Sequence, residues 1–444
     1  GSEMAFIRQV GKSIEFHLLV ANADGSGERI ILTRSGHQGL SSAGPAWSPD
    51  GKLIAFGDVD LSMRGGEGNC LITGIELQNG AVKALSSERW DNCYRSAWTP
   101  DGRGIVFIGT RTGESLTTRR DQIYYLSIAD GKSRRLSTET HRYLGGSLGI
   151  TADNSLLVVP HKVFSQIWTM SADGDVGTAV QLTSGQKDGF TGIAPLPDGR
   201  IGYITWTGEN RSIWIMDPDG SNQRQINDQM PFVEALRATP DGRFFIFSAR
   251  KHGFSHLYRI DTDGQNLKQL TDGESHEVGS TVSPDSSWVY HGSNAFDGQI
   301  WRTYVQRTSI DGGRTTTLKE IDASGLIPHV SPDGKSITCA THSGLKIYST
   351  EDGSVQYSLE TDKGAGWWTG AKWTPDGRSI TYLVSRNKNI NVWVQPIDGS
   401  SPPGPLTQFP KDHVYSHAFS SDGERLYVAR GYQVSDAVLV RNSY

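Results

Sequence analysis

The chain has 444 residues, of which 36% are apolar and 52 are glycine, and its formal net charge is −5 with an isoelectric point near 6.2. This composition favours many short strands joined by turns over a disordered chain. The acidic balance, without a block of like charge, excludes the electrostatic footprint of a nucleic-acid-binding protein. No apolar stretch approaches the roughly 18–20 residues of a membrane-spanning helix and no signal peptide is visible, so we expect no membrane contact by this chain itself.

A turn motif divides the sequence into repeats. The tripeptide Pro-Asp-Gly, or a close variant, returns about every 43 to 52 residues between two apolar runs. Proline presets φ, aspartate bonds the following backbone and glycine supplies a positive φ, so each copy predicts a tight turn between antiparallel strands. The aspartates of the nine copies are Asp50, Asp101, Asp153, Asp198, Asp241, Asp285, Asp333, Asp376 and Asp422.

Each repeat is predicted to hold four short strands. The second strand is the apolar run after the turn, as in Leu53–Phe56, and the third carries an aliphatic-aromatic pair such as Ile123-Tyr124 or Val392-Trp393. The recurrence of these aromatics at one repeat position predicts a packing layer between sheets. An Asp-Gly pair such as Asp263-Gly264 then turns the chain into the fourth strand.

Four-stranded antiparallel units repeated this often predict an all-β protein, a single β-propeller over residues 1–444. Residues 1–39 form an incomplete first blade, residues 40–408 eight full repeats and residues 409–444 closing strands. Nine blades, within a range of eight to ten, with the two termini sharing a closing blade, fit this count best. Gly1–Phe6 aligns with residues 51–56, so we expect the sequence to start just after a missing turn, unless Gly1-Ser2 is a cloning remnant.

The phrases Pro45–Phe56 and Ser212–Gly220 resemble the PD40 repeats of TolB-type propellers. The segments Val20–Arg29 and Ser420–Val440 resemble, more narrowly, the C-terminal propellers of bacterial membrane-anchored serine/threonine kinases and related regulators. That resemblance implies an extracytoplasmic location and a sensor role. The sequence contains no kinase motif, so the resemblance places any kinase domain upstream of Gly1.

The loops that enter the first strand of the repeats are rich in aromatic residues. These loops share one face of a propeller, where flat rings with nearby charged groups suit a glycan, a peptide or a protein. Alternatively, these aromatic residues pack the loops against the blades and bind no ligand. The candidate ligand-binding residues are Trp90, Tyr94, Arg142, Tyr143, Phe190, Phe232, Trp367, Trp368 and Tyr415.

The three cysteines are too few for a disulfide scaffold. Cys70 and Cys93 fall on the same rim in neighbouring repeats, so they either form a disulfide, which would fit an oxidising compartment, or remain free thiols. Cys339 is predicted to be a buried apolar residue in a second strand.

Two patterns bear on catalysis. Gly145–Gly149 satisfies the G-x-S-x-G pattern around Ser147, but the segment runs into a turn without the strand-to-helix context of a nucleophile elbow. His276, His329 and His413 precede or open the first strand of three repeats and are weak candidates for a metal site at the channel mouth. Solvated or hydrogen-bonded imidazoles are the alternative, and we assign no catalytic residue and no cofactor.

Three functions follow. The first is a non-enzymatic binding propeller, an extracytoplasmic sensor or interaction module of a larger signalling protein. The second is a metal-assisted polysaccharide lyase or hydrolase that uses the channel-mouth histidines and arginines. The third is a structural scaffold for a protein partner, which differs from the first only in the size of the ligand.

Overall fold

The fold was analysed in a computed structural model. The structure describes residues 2–10, 15–61, 68–112, 121–137, 142–207, 210–227, 230, 232–251, 254–296, 301–321, 327–341, 344–361, 365–366 and 370–441. The chain divides into two compact units. Unit 1 consists of residues 1–162, 297–300 and 433–444, and unit 2 of residues 163–296 and 301–432.

The regular secondary structure of the described residues is almost entirely β-strand, and its only helical turn is a 3-10 helix over Val176–Thr178. No described helix is long and apolar enough to cross a membrane. The strands of unit 1 are β1 (Glu3–Gln9), β2 (Glu15–Asn22), β3 (Arg29–Ser35), β4 (Gln38–Leu40), β5 (Ala46–Trp47), β6 (Leu53–Asp60), β7 (Cys70–Glu76), β8 (Val82–Ala84), β9 (Trp90–Trp98), β10 (Gly104–Arg111), β11 (Gln122–Ser127), β12 (Ser133–Arg135), β13 (Arg142–Ile150), the first part of β14 (Leu156–Ser171) and β39 (Val438–Val440).

Unit 2 begins within β14. Its strands are the second part of β14, β15 (Val180–Gln181), β16 (Ile193–Pro195), β17 (Ile201–Thr207), β18 (Asn210–Met216), β19 (Arg224–Asn227), β20 (Glu234–Ala238), β21 (Phe244–Lys251), β22 (Phe254–Asp261), β23 (Lys268–Gln269), β24 (Ser275–Val282), β25 (Trp288–Phe296), β26 (Trp301–Ser309), β27 (Thr315–Ile321), β28 (His329–Val330), β29 (Ser336–Thr341), β30 (Gly344–Ser349), β31 (Val355–Leu359), β32 (Ala365–Gly366), β33 (Lys372–Trp373), β34 (Ser379–Arg386), β35 (Asn389–Pro396), β36 (Gly404–Pro405), β37 (His413–Phe419) and β38 (Arg425–Ser435).

In unit 1, two repeats share one large sheet. Strands β1 to β3 form a three-stranded sheet, and β4 to β12 form a single nine-stranded sheet. That large sheet comprises two repeats joined where Cys70 of β7 pairs with Trp90 of β9. Strand β13 pairs with the first part of β14, and β39 pairs with β14 at Leu156–Val158.

Unit 2 is a closed ring of six antiparallel sheets. Five of them follow one another along the chain, from β16–β19 to β32–β36, and the sixth combines β37, β38, the second part of β14 and β15. Strand β16 of the first sheet contacts both β20 and β37, so the first and last sheets touch. The total number of blades, for which the sequence predicts nine, stays a prediction. The assignment of residues 1–444 to a single domain also stays a prediction.

The pairing of the closing strands differs from the prediction that the termini share a blade. Strand β38 lies next to β14, and β1 to β3 form a sheet of their own. The reason is that β14 is one continuous strand of 16 residues, with no turn between the second and third strands of its repeat. The C-terminal strands β38 and β39 pair with this long strand. The turn motifs in the sequence do not predict that pairing.

The turn chemistry explains why aspartate recurs in all nine turns. At Asp333, one carboxylate oxygen accepts hydrogen bonds from the Ser331 hydroxyl at 2.5 Å and from the Lys335 N–H at 3.0 Å. These donors hold the pKa of the Asp333 carboxyl below its usual value. Gly334 between them has φ of 74°, a conformation that costs glycine little. Each turn is thus fixed by its own side chains.

Four aromatics of the third strands pack in the core, as predicted, and Trp168 and Trp214 are half-buried against it. Tyr124 is fully buried, and Tyr258, Tyr348 and Trp393 are at most 8% exposed. In unit 2, Tyr258 stacks on Phe247 of the neighbouring strand with ring centroids 5.8 Å apart. These buried rings therefore stabilise the sheets and are not accessible to a ligand.

Candidate functional site

In unit 1, the predicted rim aromatics are core residues. Trp90 is fully buried and packs edge-on against Phe107 and Tyr124, with ring centroids 4.8 and 4.6 Å away. Tyr143 is only 6% exposed, and Tyr94 packs against the same buried cluster as Tyr143. The physical reason is that Trp90 opens the nine-residue strand β9 rather than lying in an exposed loop. Trp90 and Tyr143 therefore do not present a ring face to a ligand.

The structure joins Cys70 and Cys93 in a disulfide, with Cα atoms 6.0 Å apart. Both half-cystines are buried in the same core cluster as Trp90. Cys339 is the free cysteine of the chain and is fully buried in β29, where burial raises the pKa of its thiol. The disulfide thus reinforces the junction between the two repeats of the nine-stranded sheet.

In unit 2, three of the predicted rim residues come together in an aromatic cluster. We define this cluster as Phe190, Trp206, Phe232 and Tyr415. The Phe190 ring lies 5.7 Å from Trp206 and 4.9 Å from Tyr415, measured between centroids. Trp206 was not singled out from the sequence, because it lies at the end of a second strand rather than in the loop entering a first strand.

Two cations complete the cluster. The Arg211 guanidinium lies 4.0 Å from the Trp206 ring centroid and 4.6 Å from that of Phe232, and the Lys187 ammonium lies 4.5 Å from Trp206. Arg211 also forms an ion pair with Glu234. Phe190, Trp206 and Phe232 are half-buried, so the cluster retains accessible ring surface beside charged hydrogen-bond donors.

The remaining predicted rim residues are not part of this cluster. Trp367 and Trp368 lie outside the described residues. Arg142 lies in β13 with its backbone paired to His161, and only its backbone is described. Ser147 lies within the same strand, so the strand-to-helix elbow of a hydrolase nucleophile is not formed there.

The three candidate metal-binding histidines occupy different positions along the inner strands of unit 2. His276 and His413 lie at the starts of β24 and β37, whereas His329 lies beside its turn, in the two-residue strand β28. His276 lies beside Phe254, with ring centroids 5.2 Å apart, and His329 contacts Arg237. Within the described ranges, no three histidine, cysteine or carboxylate side chains are grouped as metal ligands.

A second candidate site, missed from the sequence, is a cavity of about 430 Å³ at the turn end of the inner strands of unit 2. All six sheets of the ring contribute to its lining. Its basic residues are Arg237, His329 and Lys372, and we call it the basic cavity. It lies at the opposite end of the inner strands from the aromatic cluster, since Tyr415 is near the start of β37 and Phe419 at its end lines the cavity.

Hydrogen bonds hold the basic side chains in place. An Arg237 NH2 group lies 3.2 Å from His329 Nε2, and the other terminal nitrogen of Arg237 donates to the Leu236 carbonyl at 2.8 Å. The Lys372 ammonium donates to the carbonyl of His417. The ring of His417 is fully buried and bonds the Thr381 hydroxyl at 2.9 Å.

Burial of these groups has an electrostatic consequence. It lowers the pKa of Arg237 to about 10 and lowers that of Lys372 well below its usual value, with Arg237 adding to the shift of Lys372. Burial, then the positive charges of Lys372 and Arg237, lower the pKa of His417 far enough to keep its imidazole neutral. The basic cavity is therefore a region where positive charge is concentrated and poorly solvated.

A repeat of antiparallel four-stranded sheets, closed into a ring in unit 2, defines the class of β-propellers. Within that class, the family model of the TolB beta propeller domain, PD40, matches residues 35–235 and 193–363. The chain belongs to this family.

Individual relatives are more distant. An uncharacterized protein of Agrobacterium fabrum is 24% identical over 202 residues, which are 42% of this chain and 67% of that protein. The Tol-Pal system protein TolB of Roseobacter denitrificans is 29% identical over 89 residues, 19% of this chain and only 20% of its own length. The chain thus spans about two thirds of the first relative and a fifth of the second.

Solved structures with a similar fold include TolB from Acinetobacter baumannii and an oligogalacturonate lyase from Vibrio parahaemolyticus. The first is 18% identical, covers 80% of each chain and has a TM-score of 0.32. The second is 12% identical, covers 90% of this chain and all of its own and has a TM-score of 0.34.

Proposed function

We propose that this chain is a non-enzymatic binding module that recognises a peptide, protein or glycan at the aromatic cluster of unit 2. The observation that carries the proposal is the aromatic cluster together with its cations, since Arg211 lies over the rings of Trp206 and Phe232 and Lys187 lies over that of Trp206. Flat apolar surface next to charged donors suits ligands that combine apolar faces with polar groups. Membership of a propeller family that includes a Tol-Pal system protein supports a protein as the kind of partner.

The sensor role and the extracytoplasmic location belong to the same proposal. They are supported by the resemblance to kinase-linked propellers and by the Cys70–Cys93 disulfide, which fits an oxidising compartment. The location is tested by fusing alkaline phosphatase, which is active only when exported, to the end of the native full-length protein. An inactive fusion would contradict the extracytoplasmic location without touching the binding proposal.

The binding proposal is tested by a thermal-shift screen against cell-wall glycans, acidic oligosaccharides and peptides, followed by calorimetry with any hit. A ligand at 100 times its Kd stabilises the protein by about 2.7 kcal/mol, which such a screen detects. We expect Trp206→Ala to weaken binding of the hit at least tenfold, because the indole lies at the centre of the cluster.

The matched control is Tyr357→Ala. Tyr357 is 49% exposed on β31, and its loss removes surface aromatic area outside the cluster. This variant should bind like the wild type. Equal affinities of the wild type and a folded Trp206→Ala variant would overturn the assignment of the site.

A further inference from the structure

The basic residues of the cavity occupy one position of the repeat. Counting three residues back from the residue that begins each turn motif gives one inner-strand position per sheet of unit 2. The six residues at this position are Ala194, Arg237, Thr281, His329, Lys372 and Ala418, and all six line the cavity. Ring closure therefore gathers three basic side chains that are far apart in sequence.

The lining contains no acidic residue in the part of unit 2 that the structure describes. The nearby turn carboxylates are occupied within their own turns: Asp333 accepts from Ser331 and Lys335, and Asp376 accepts from Thr374 and Arg378. Arg237 and Lys372 form no ion pair with the described carboxylates. Their hydrogen bonds to protein go to backbone carbonyls and an imidazole.

Two poorly solvated cations facing one cavity destabilise the folded state unless negative charge offsets them. Desolvation of an unpaired charge is unfavourable, and like charges repel more strongly where water is excluded. Burial, and after it these two positive charges, lower the pKa of the neighbouring His417. The arrangement favours a negatively charged group that accepts hydrogen bonds from several donors at once.

We propose that the basic cavity of unit 2 is a binding site for an oxyanion, a carboxylate or phosphate group held by Arg237, Lys372 and His329. Guanidinium and ammonium groups form short, charge-assisted hydrogen bonds with both kinds of anion. A volume of about 430 Å³ accommodates a residue-sized ligand carrying such a group. The site is independent of the aromatic cluster, so either can fail without the other.

The test is isothermal titration calorimetry of the full chain with sodium phosphate and with sodium succinate, at constant ionic strength set by sodium chloride. We expect saturable binding of at least one probe and at least a tenfold weaker Kd in Arg237→Gln and in Lys372→Met. Phosphate binding alone identifies a phosphate site, and succinate binding alone a carboxylate site. Either result supports the proposal.

Thermal unfolding without the probes gives a second readout. Lys372→Met removes a half-buried, poorly solvated charge but keeps the length of the side chain, so we expect it to be at least as stable as the wild type and to lose the stabilisation by the bound probe. Arg237→Gln serves the same purpose if Lys372→Met does not fold. The control variants Lys335→Gln and Arg378→Gln remove exposed charges near the same turns, outside the cavity lining, and should bind like the wild type.

Comparison of variants separates a built site from the general stabilisation of proteins by phosphate salts, which acts on every variant alike. Absence of saturable binding of both probes would overturn the proposal. Equal Kd values for the wild type, Arg237→Gln and Lys372→Met would overturn it too, because the anion would then bind elsewhere.

Discussion

The two units use the same repeat in different ways. In unit 1, two repeats merge into one nine-stranded sheet, and their junction is filled by Trp90 and a disulfide. In unit 2, six sheets stay separate and meet around a cavity lined by basic side chains. The positions of unit 1 that correspond to the basic residues hold Ala46, Ala97 and Gly149. The repeat thus specifies the sheets, and a few positions at strand ends decide whether a unit offers a site.

Aromatic residues illustrate the same difference. Trp90 at the start of β9 is fully buried in the core. Phe190 and Phe232, which precede the inner strands of unit 2, are half-buried. They belong to the cluster that contains Arg211 and Lys187. Similar sequence signals therefore have a structural role in one unit and a candidate binding role in the other.

The largest expected effect is the loss of the junction aromatic. Trp90→Ala leaves a large cavity among Phe107, Tyr124 and the disulfide, so we expect the free energy of unfolding to fall by about 3–5 kcal/mol. Denaturant titration measures this, and Trp206→Ala should cost clearly less because Trp206 is only half-buried. A loss as large for Trp206 as for Trp90 would contradict the distinction between core and surface aromatics.

The disulfide should contribute somewhat less. Cys70 and Cys93 are 23 residues apart, and closing a loop of that length stabilises a protein by about 3 kcal/mol in the chain-entropy model. We expect a reducing agent to lower the Tm of the wild type but not that of the Cys70→Ser/Cys93→Ser variant. If reduction leaves the Tm of the wild type unchanged, the two cysteines are free thiols in the protein.

Acid should destabilise unit 2 through a buried histidine. His291 is fully buried, bonded to the Thr308 hydroxyl, and burial lowers its pKa to about 4. Below pH 6.5 the unfolded state takes up a proton that the folded state cannot accept, so stability falls as the pH falls from 6.5 to 4, by about 3 kcal/mol in total. Unfolding titrations across this range should show a shallower slope for His291→Asn than for the wild type. Equal slopes would assign the acid sensitivity to other groups.

A single turn should matter least. Asp333→Ala removes one acceptor from two hydrogen bonds of a half-exposed turn, so we expect a loss of about 1 kcal/mol. Asp333→Asn should lose less because its amide oxygen can still accept both bonds. A loss much larger than 1 kcal/mol would mean that the turn is coupled to the neighbouring sheet.

Local sequence signals predict much of this fold, whereas the pairing of strands that are distant in sequence could not be predicted. The turn aspartates, the strands after them and the core aromatics of the third strands, such as Tyr124 and Tyr258, follow from residue type and spacing. The continuity of β14 does not, because residues 156–171 read equally well as two strands with a connection. Partner choice for β38 depends on that continuity.

The candidate sites show the same limit. Phe190, Phe232 and Tyr415 could be predicted from their place before or near the start of the inner strands, but Trp206 and Lys187 required the folded arrangement. Arg237 and Lys372 carried a usable signal, since both stand three residues before the first residue of a turn motif. Ring closure, however, determines which sheets meet around one cavity, and no local sequence pattern predicts ring closure.

Ring closure in unit 2 also sets an order of events during synthesis. The Ser416 hydroxyl on β37 donates to the carbonyl of Gly189, just before β16, and these residues are 227 positions apart in the chain. At roughly 5–20 residues per second, the ribosome needs more than about ten seconds to add that length. Throughout this interval the edge of β14 that later pairs with β38, and the side of β16 that later contacts β37, are uncovered on the nascent chain. The strands that complete the ring are the last of unit 2 to leave the ribosome, so protection of those edges from other chains becomes a requirement of biosynthesis.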